Sequence, residues 1–171
     1  VSTISFIVPT VGRGSLAATL TSIEAVGDDE VVVVEHTPPS GHWGNEERQD
    51  GIERAHGDYL AFLDDDDRYV PGHRVLMQRA INDGQPDVPI LFRVQYPSGR
   101  TIWRRKWVKN GNVSAQMILV PNQPDMLHNW QSKQRFADFH FINQWRWPAK
   151  QIKWRTEVIA LMGHEDSHAT I

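Results

Sequence analysis

The 171-residue chain has no cysteine. That excludes a disulfide framework, a thiolate zinc site and a cysteine nucleophile, so any metal must sit on oxygen or imidazole. Long apolar runs are also missing: no stretch approaches the ~18 residues of a membrane span, and no signal peptide is visible. Neither charge dominates, with 18 Lys+Arg against 21 Asp+Glu and a net charge of -3. There is thus no global electrostatic footprint for nucleic acid, although a local patch is compatible with these numbers. What is present is a 40% hydrophobic composition, which suits one soluble, cytoplasmic domain spanning 1–171. Of the seven tryptophans, only Trp43 falls in the first hundred residues.

The first half reads as alternating strands and helices. Ile4 to Pro9 is a short apolar strand ending at Pro9-Thr10, and Leu16, Leu20 and Ile23 recur at helical spacing behind Ser15 as cap. Glu30 to Glu35 is continuously apolar inside, the pattern of a strand covered on both faces. Asn45 to Ala55 reads as a polar helix, Asp58 to Leu63 as a third strand, and Pro71-Gly72 opens a helix to Asn82. This order predicts an α/β fold, with a mostly parallel central sheet and flanking helices. Ligands of such sheets collect at the carboxyl ends of the strands, here Pro9-Thr10, Glu35-His36 and Asp64-Asp65-Asp66-Asp67.

The second half is smaller and mixed. Pro89 to Tyr96 and Thr101 to Val108 read as a hairpin around Pro97-Ser98-Gly99, followed by a strand at Gln116 to Pro121, a helix at Gln134 to Trp145 and a last strand at Gln151 to Leu161. On a strand, Trp103, Arg105 and Trp107 would share one face and Arg104 and Lys106 the other. That arrangement suits either an acceptor platform or a solvated basic edge.

Four successive carboxylates at a strand end repel one another unless a cation offsets them. Hard divalent ions take oxygen ligands, and Mg²⁺ characteristically uses one or two carboxylates with substrate phosphates. The other reading of the run is a solvated acidic turn that favours the start of a helix. The run's place after a buried strand of an α/β pattern favours the metal.

The stretches SFIVPTVGR (Ser5 to Arg13), RQDGIERAHGDYLAFLDDDD (Arg48 to Asp67) and Val70-Pro71 resemble the family 2 glycosyltransferases of GT-A, Rossmann-like fold. The resemblance covers roughly the first 80 residues and implies a nucleotide-sugar donor, in many members a UDP-sugar, lying across the strand ends. It further implies a Mn²⁺ or Mg²⁺ ion bridging the diphosphate to the Asp64-Asp65-Asp66 motif. Asp66 matches the direct metal ligand and Asp64 the position nearer the ribose. Pro9, Thr10 and Arg13 match the first loop, and Arg48 matches an arginine that helps hold the nucleotide. The family's Asp-Asp-Gly-Ser after the second strand is replaced here. Glu35 stands where an acidic residue meets the uracil, while Gln49 and Gly12 replace two asparagines of the pattern.

The resemblance divides the chain into a donor half, 1–88, and an acceptor half, 89–171. Transfer with inversion needs a base for the acceptor proton and a charge sink for the diphosphate. In family order the base falls on Asp138, whose aromatic neighbours would raise its pKa by desolvation; an ordinary surface aspartate is the other reading. His164, with His168 as the alternative, matches the C-terminal histidine that completes the metal shell in some members. Set beside the family, 171 residues correspond to a catalytic core, leaving acceptor recognition to the second half or to a partner chain, a homo-oligomer included. The acceptor class is open, with nucleic acid among the candidates because of the basic-aromatic segment. Two further readings stand beside glycosyl transfer: metal-dependent nucleotidyl transfer, and a non-catalytic sugar-nucleotide or glycan-binding module.

Overall fold

The computed structural model describes residues 1–83, 87–127, 129–130, 133–146 and 152–163. Its eight-stranded sheet is built from β1 (Ile4–Thr10), β2 (Glu30–Glu35), β3 (Tyr59–Phe62), β4 (Arg68–Tyr69), β5 (Ile90–Gln95), β6 (Thr101–Ile102), β7 (Ile118–Pro121) and β8 (Lys153–Leu161). The order is β2-β1-β3-β7-β5-β8-β4, with β6 paired to β5. Helices α1 (Leu16–Thr21), α2 (Asn45–Arg54), α3 (His73–Asn82) and α4 (Ala137–Asn143) flank it. The expected α/β fold is present, with β1 parallel to both β2 and β3. The second half is mixed, because β7 runs antiparallel to β3 and β5 while β8 runs parallel to β5.

Two antiparallel steps, β3 to β7 and β7 to β5, return β5 to the direction of β1 and β3. The carboxyl ends of β1, β2, β3, β5 and β8 therefore share one edge of the sheet. Every residue of β1, β3 and β7 is buried, as befits central strands covered on both faces. The helix α2 lies close on β1: a Cβ on Gly51 would come 2.4 Å from Ile7 Cγ2, so this approach requires glycine.

Two strand expectations need correction. β2 is an edge strand rather than one covered on both faces, with Val31 and Val33 each about 40% exposed. An unbroken valine run cannot tell these cases apart, since β-branched residues suit any pleated surface. The strand expected over Thr101 to Val108 stops at Ile102. Beyond it the Asn112 side chain gathers the backbone into a loop, accepting from Arg104 N–H at 2.9 Å and donating to the Arg105 and Trp107 carbonyls at 2.9 and 2.6 Å. Trp103 and Trp107 consequently do not share a face: the first is buried and the second half-exposed.

The tryptophan skew is largely a matter of core. Trp103, Trp130 and Trp145 are all buried. Trp130 stacks on Phe141 with centroids 4.5 Å apart and tilts against Phe62 at 5.0 Å, while Trp145 meets Phe141 edge-on at 5.4 Å. Such pairs contribute roughly 0.5–1.5 kcal/mol each beyond burial. Both indoles are also satisfied, Trp130 Nε1–H donating to Asn45 Oδ1 at 3.0 Å and Trp145 Nε1–H to the Met126 carbonyl at 3.1 Å. This cluster fixes α4 over β3. Among the described residues no helix is long and apolar enough to cross a membrane.

Candidate active site

The carboxyl edge carries two adjoining cavities. The first, about 340 Å³, is lined by Pro9, Thr10, Val11 and Arg13 from the end of β1, by residues 39–41, Trp43, Gly44, Glu47 and Arg48 from the loop and start of α2, and by Asp64, Asp65 and Asp66 beyond β3. The second, about 280 Å³, takes its far wall from Ala115, Gln116, Trp130 and residues 134–138, ending at Asp138. Trp43, Arg48 and Asp64 line both.

The four aspartates have separate environments. Asp65 is buried and accepts from Thr10 Oγ1 at 2.7 Å and from Val11 N–H at 3.2 Å, with Arg13 Nη1 3.3 Å away. Asp66 is partly exposed and pairs with Arg13 Nη1 at 2.5 Å. Asp64 pairs with Arg48 Nη2 and accepts from Gln116 Nε2 at 3.0 Å. Asp67 is fully buried, accepting from Gln116 Nε2 at 2.6 Å and from Gly163 N–H at 2.7 Å. Burial, reinforced by the charge of Asp64, pushes the Asp67 carboxyl up to about 8. The run thus offers two accessible carboxylates, one committed to the β1 loop and one held inside.

Gly163 is required where β8 ends. A Cβ there would sit 1.9 Å from the Asp66 carbonyl oxygen, so the chain leaving β8 packs directly on the aspartate run. His164 and His168 lie outside the described residues.

Arg48 is placed by the start of α2. Its Nη1 donates to the Trp43 carbonyl at 2.7 Å, fixing the preceding turn, while its Nε is buried with no hydrogen-bond partner among the described residues. Glu35, exposed at the end of β2, falls outside the lining of the first cavity; a Cβ on Gly12 would lie 3.1 Å from its Oε1. Asp138, in the first turn of α4, accepts from Phe139 N–H at 2.7 Å. Burial raises its pKa, opposed by Arg48 and aided by Asp64.

Three residues escape a motif reading. Gln116 is buried and its amide bridges Asp64 and Asp67, but a glutamine ahead of an apolar strand carries no pattern. Glu47, also buried, accepts from Ser40 Oγ at 2.9 Å and lies 3.5 Å from His36 Nδ1, ordering the loop over the first cavity. Trp43 is 63% exposed and sits at φ 54°, a left-handed backbone that bulky residues seldom adopt. Its isolation among Pro, Ser and Gly was the available signal.

The donor set fits a hard divalent cation. Asp64 and Asp66 supply partly exposed oxygens beside a cavity, and such ions need only one or two carboxylates when phosphates complete the shell. Among the described residues no group of three His, Cys, Asp or Glu is arranged to hold a metal alone. Arg13 and Arg48 line the same cavity, and their guanidinium groups suit an anionic ligand there.

Fold and site together define the class: an α/β protein of GT-A-like fold with its acidic run at the strand ends. Residues 37–145 match the model of Glycosyl transferase family 2, and the chain belongs to that family. Solved structures of the same fold include TarS of S. aureus (14% identity, TM-score 0.74), covering 94% of this chain and 36% of that one. A second is TarS 1–349 of S. aureus in complex with UDP-GlcNAc (10% identity, TM-score 0.74), covering 100% of this chain and 62% of that one. A chain from STIV aligns over 100% of this sequence and 98% of its own, at 16% identity and TM-score 0.54. The protein thus spans between about a third and three fifths of the TarS chains. No curated protein sequence matches it.

Proposed function

We propose that this protein transfers a sugar from a nucleoside-diphosphate sugar, read as a UDP-sugar, to an acceptor hydroxyl, with inversion and with the help of Mn²⁺ or Mg²⁺. The observation that carries the reading is the meeting of the two cavities at Asp64, with Asp138 across the second. The first cavity draws its whole lining from the donor half, and the second adds residues of the acceptor half. That division supports one catalytic unit over 1–171 made of 1–88 and 89–171.

In this reading Pro9, Thr10, Arg13, Arg48 and Asp65 shape the donor cavity, while Glu35, outside its lining, would reach the base only from beyond the Gly12 turn. Asp64 and Asp66, and His164 as a further candidate, hold the metal, which when bound neutralises charge on the departing diphosphate. Arg13 adds a fixed positive charge there. Asp138 takes the proton as the acceptor oxygen bonds to the anomeric carbon and the bond from that carbon to the diphosphate oxygen breaks. With Asp138 as base and the acceptor hydroxyl attacking directly, the transfer is a single displacement, hence inversion. A base of raised pKa holds the proton better, which favours abstraction from a hydroxyl. The placement of Asp138 in a cavity shared with Asp64 supports catalysis over a purely binding role.

The UDP assignment leans on TarS 1–349, which shares the fold and was crystallised with UDP-GlcNAc. A thermal-shift panel of nucleoside diphosphates and nucleotide sugars, with and without Mn²⁺, tests it. The expected result is stabilisation by uridine compounds only when metal is present. Equal stabilisation by every base, or none, contradicts the donor assignment. Pyrophosphate released from a nucleoside triphosphate would favour nucleotidyl transfer.

A further inference from the structure

The loop after β6 belongs to neither cavity lining, yet it is a built structure. Between Val88 and Pro124 the sequence has six cations and no acidic residue, in a chain whose net charge is -3. Two are used internally, the Arg93 guanidinium lying 4.5 Å from the Trp103 ring centroid and the Arg100 guanidinium 4.3 Å from that of Tyr96. The other four, Arg104, Arg105, Lys106 and Lys109, are exposed on the loop, and none forms an ion pair with a described residue.

Buried Trp103 and Val108 anchor this loop, and the three hydrogen bonds to Asn112 fix its backbone. Solubility alone would not require three successive cations to be held together without counter-charges. Beside them Trp107 is 50% exposed, with Lys109 Nζ 5.1 Å from its ring centroid. Fixed cations next to a flat aromatic face are the parts that bind phosphates and stack a base.

Topology places this platform beside the acceptor cavity. On one flank of β5, Leu91 pairs with Ile118 of β7 and, three residues on, Val94 pairs with Ile102 of β6. The segment β6 thus continues above the end of β7, on the side toward β3. Across β7, Ala61 of β3 pairs with Leu119, and Asp64 follows three residues later. Asp64 and the root of the loop therefore flank the same strand end, with Gln116 hydrogen-bonded to Asp64 in that cavity.

We infer that the Trp103 to Asn112 loop binds single-stranded nucleic acid and leads it to the second cavity, so that the acceptor hydroxyl is carried on a nucleotide strand. The binding stands on the loop itself, while the acceptor role rests on the glycosyl-transfer reading. Fluorescence anisotropy with a labelled single-stranded oligonucleotide, titrated over a range of salt, tests it. Wild type is expected to bind, with affinity falling as salt rises. The combined R104A, R105A and K106A substitutions should weaken binding about a hundredfold at low salt and flatten the slope of log K against log salt by about 2. Trp107→Ala should weaken binding about tenfold and leave the slope in place. All four positions are exposed, and thermal unfolding of the variants checks that folding is intact.

No oligonucleotide binding at low salt overturns the inference. So does inorganic polyphosphate competing as well as the oligonucleotide while Trp107→Ala has no effect, since that surface would read charge alone. Donor thermal shift in the same variants separates the two readings. Loss of strand binding with the metal-dependent donor shift intact confines the effect to the loop. Strand binding without any donor shift in wild type refutes glycosyl transfer and leaves the binding loop standing.

Discussion

The two sides of the carboxyl edge solve opposite electrostatic problems. On the donor side, acidic groups crowd together and are relieved locally: Arg13 meets Asp65 and Asp66, Arg48 meets Asp64, and Asp67 is withdrawn from water. On the acceptor side, Arg104, Arg105, Lys106 and Lys109 face solvent with no ion-pair partner among the described residues. Under the proposed function the acidic cluster exchanges its arginine contacts for a metal and a diphosphate, whereas the basic loop, on the inference drawn above, takes its counter-charge from a strand outside. The difference is one of pairing: the acidic run is neutralised within the fold, and the basic loop is not, among the described residues.

The largest effect should come from Asp138, the proposed base, which lines the second cavity together with Asp64. Asp138→Asn is expected to lower kcat about 10²–10⁴-fold while leaving the metal-dependent donor melting shift unchanged. Wild-type activity should rise with pH on an acid limb above the ordinary carboxylate value of 3.8, because burial raises this group, and the variant should lack that limb. Loss of the donor shift in Asp138→Asn would break the division between donor and acceptor sides.

Next in size is the contact that closes β8 onto the aspartates. Gly163→Ala forces a Cβ to within 1.9 Å of the Asp66 carbonyl oxygen and should cost about 2–4 kcal/mol in urea unfolding. An unchanged midpoint would show that the end of β8 does not support the acidic run.

Gln116→Ala sharpens the comparison, because this acceptor-side amide orders two donor-side carboxylates. It removes the hydrogen bonds to Asp64 and Asp67, for an expected stability loss of about 1–3 kcal/mol in chemical denaturation. Rates should fall roughly tenfold through kcat. A KM effect alone would make Gln116 an acceptor contact rather than a positioning residue.

Trp43→Gly should be the mildest change to folding. Relief of the left-handed backbone is expected to raise stability by about 1 kcal/mol while kcat/KM falls, because the wall shared by the cavities is removed. A loss of stability would show that the indole is part of the packing.

A control outside both cavity linings concerns His73, buried beneath Tyr69 with ring centroids 4.3 Å apart and with its pKa lowered by burial. The folded state binds the proton more weakly than the unfolded state. Stability contributed by neutral His73 is therefore present above the unfolded value near 6.5 and declines as pH falls below it. Thermal unfolding from pH 7.5 to 5 should show that decline in wild type and a smaller one in His73→Gln.

The parallel first half and the placement of Asp64 to Asp67 were legible because short range decides them: buried apolar runs stop abruptly at polar clusters, and the carboxylates follow directly in sequence. The second half was less legible because its geometry depends on distant partners. Asn112 ends β6 from eight residues beyond the Arg104 amide it holds. Gln116 finds its aspartates 52 and 49 residues away. The exposure of β2 depends on whether another strand lies outside it, which four valines cannot report. In the sequence only family order singles out Asp138, because the cavity it lines depends on Trp130 and Phe141, which set α4 over β3.

The most direct test is product analysis of wild type and Asp138→Asn incubated with a UDP-sugar panel, Mn²⁺ and candidate acceptors, oligonucleotides included. The account predicts metal-dependent UDP release coupled to glycosylated acceptor in wild type, and at least a hundredfold less in Asp138→Asn, although both proteins show the same donor-induced melting shift. Equal turnover by the two proteins, or pyrophosphate as the product from a nucleoside triphosphate, would contradict it.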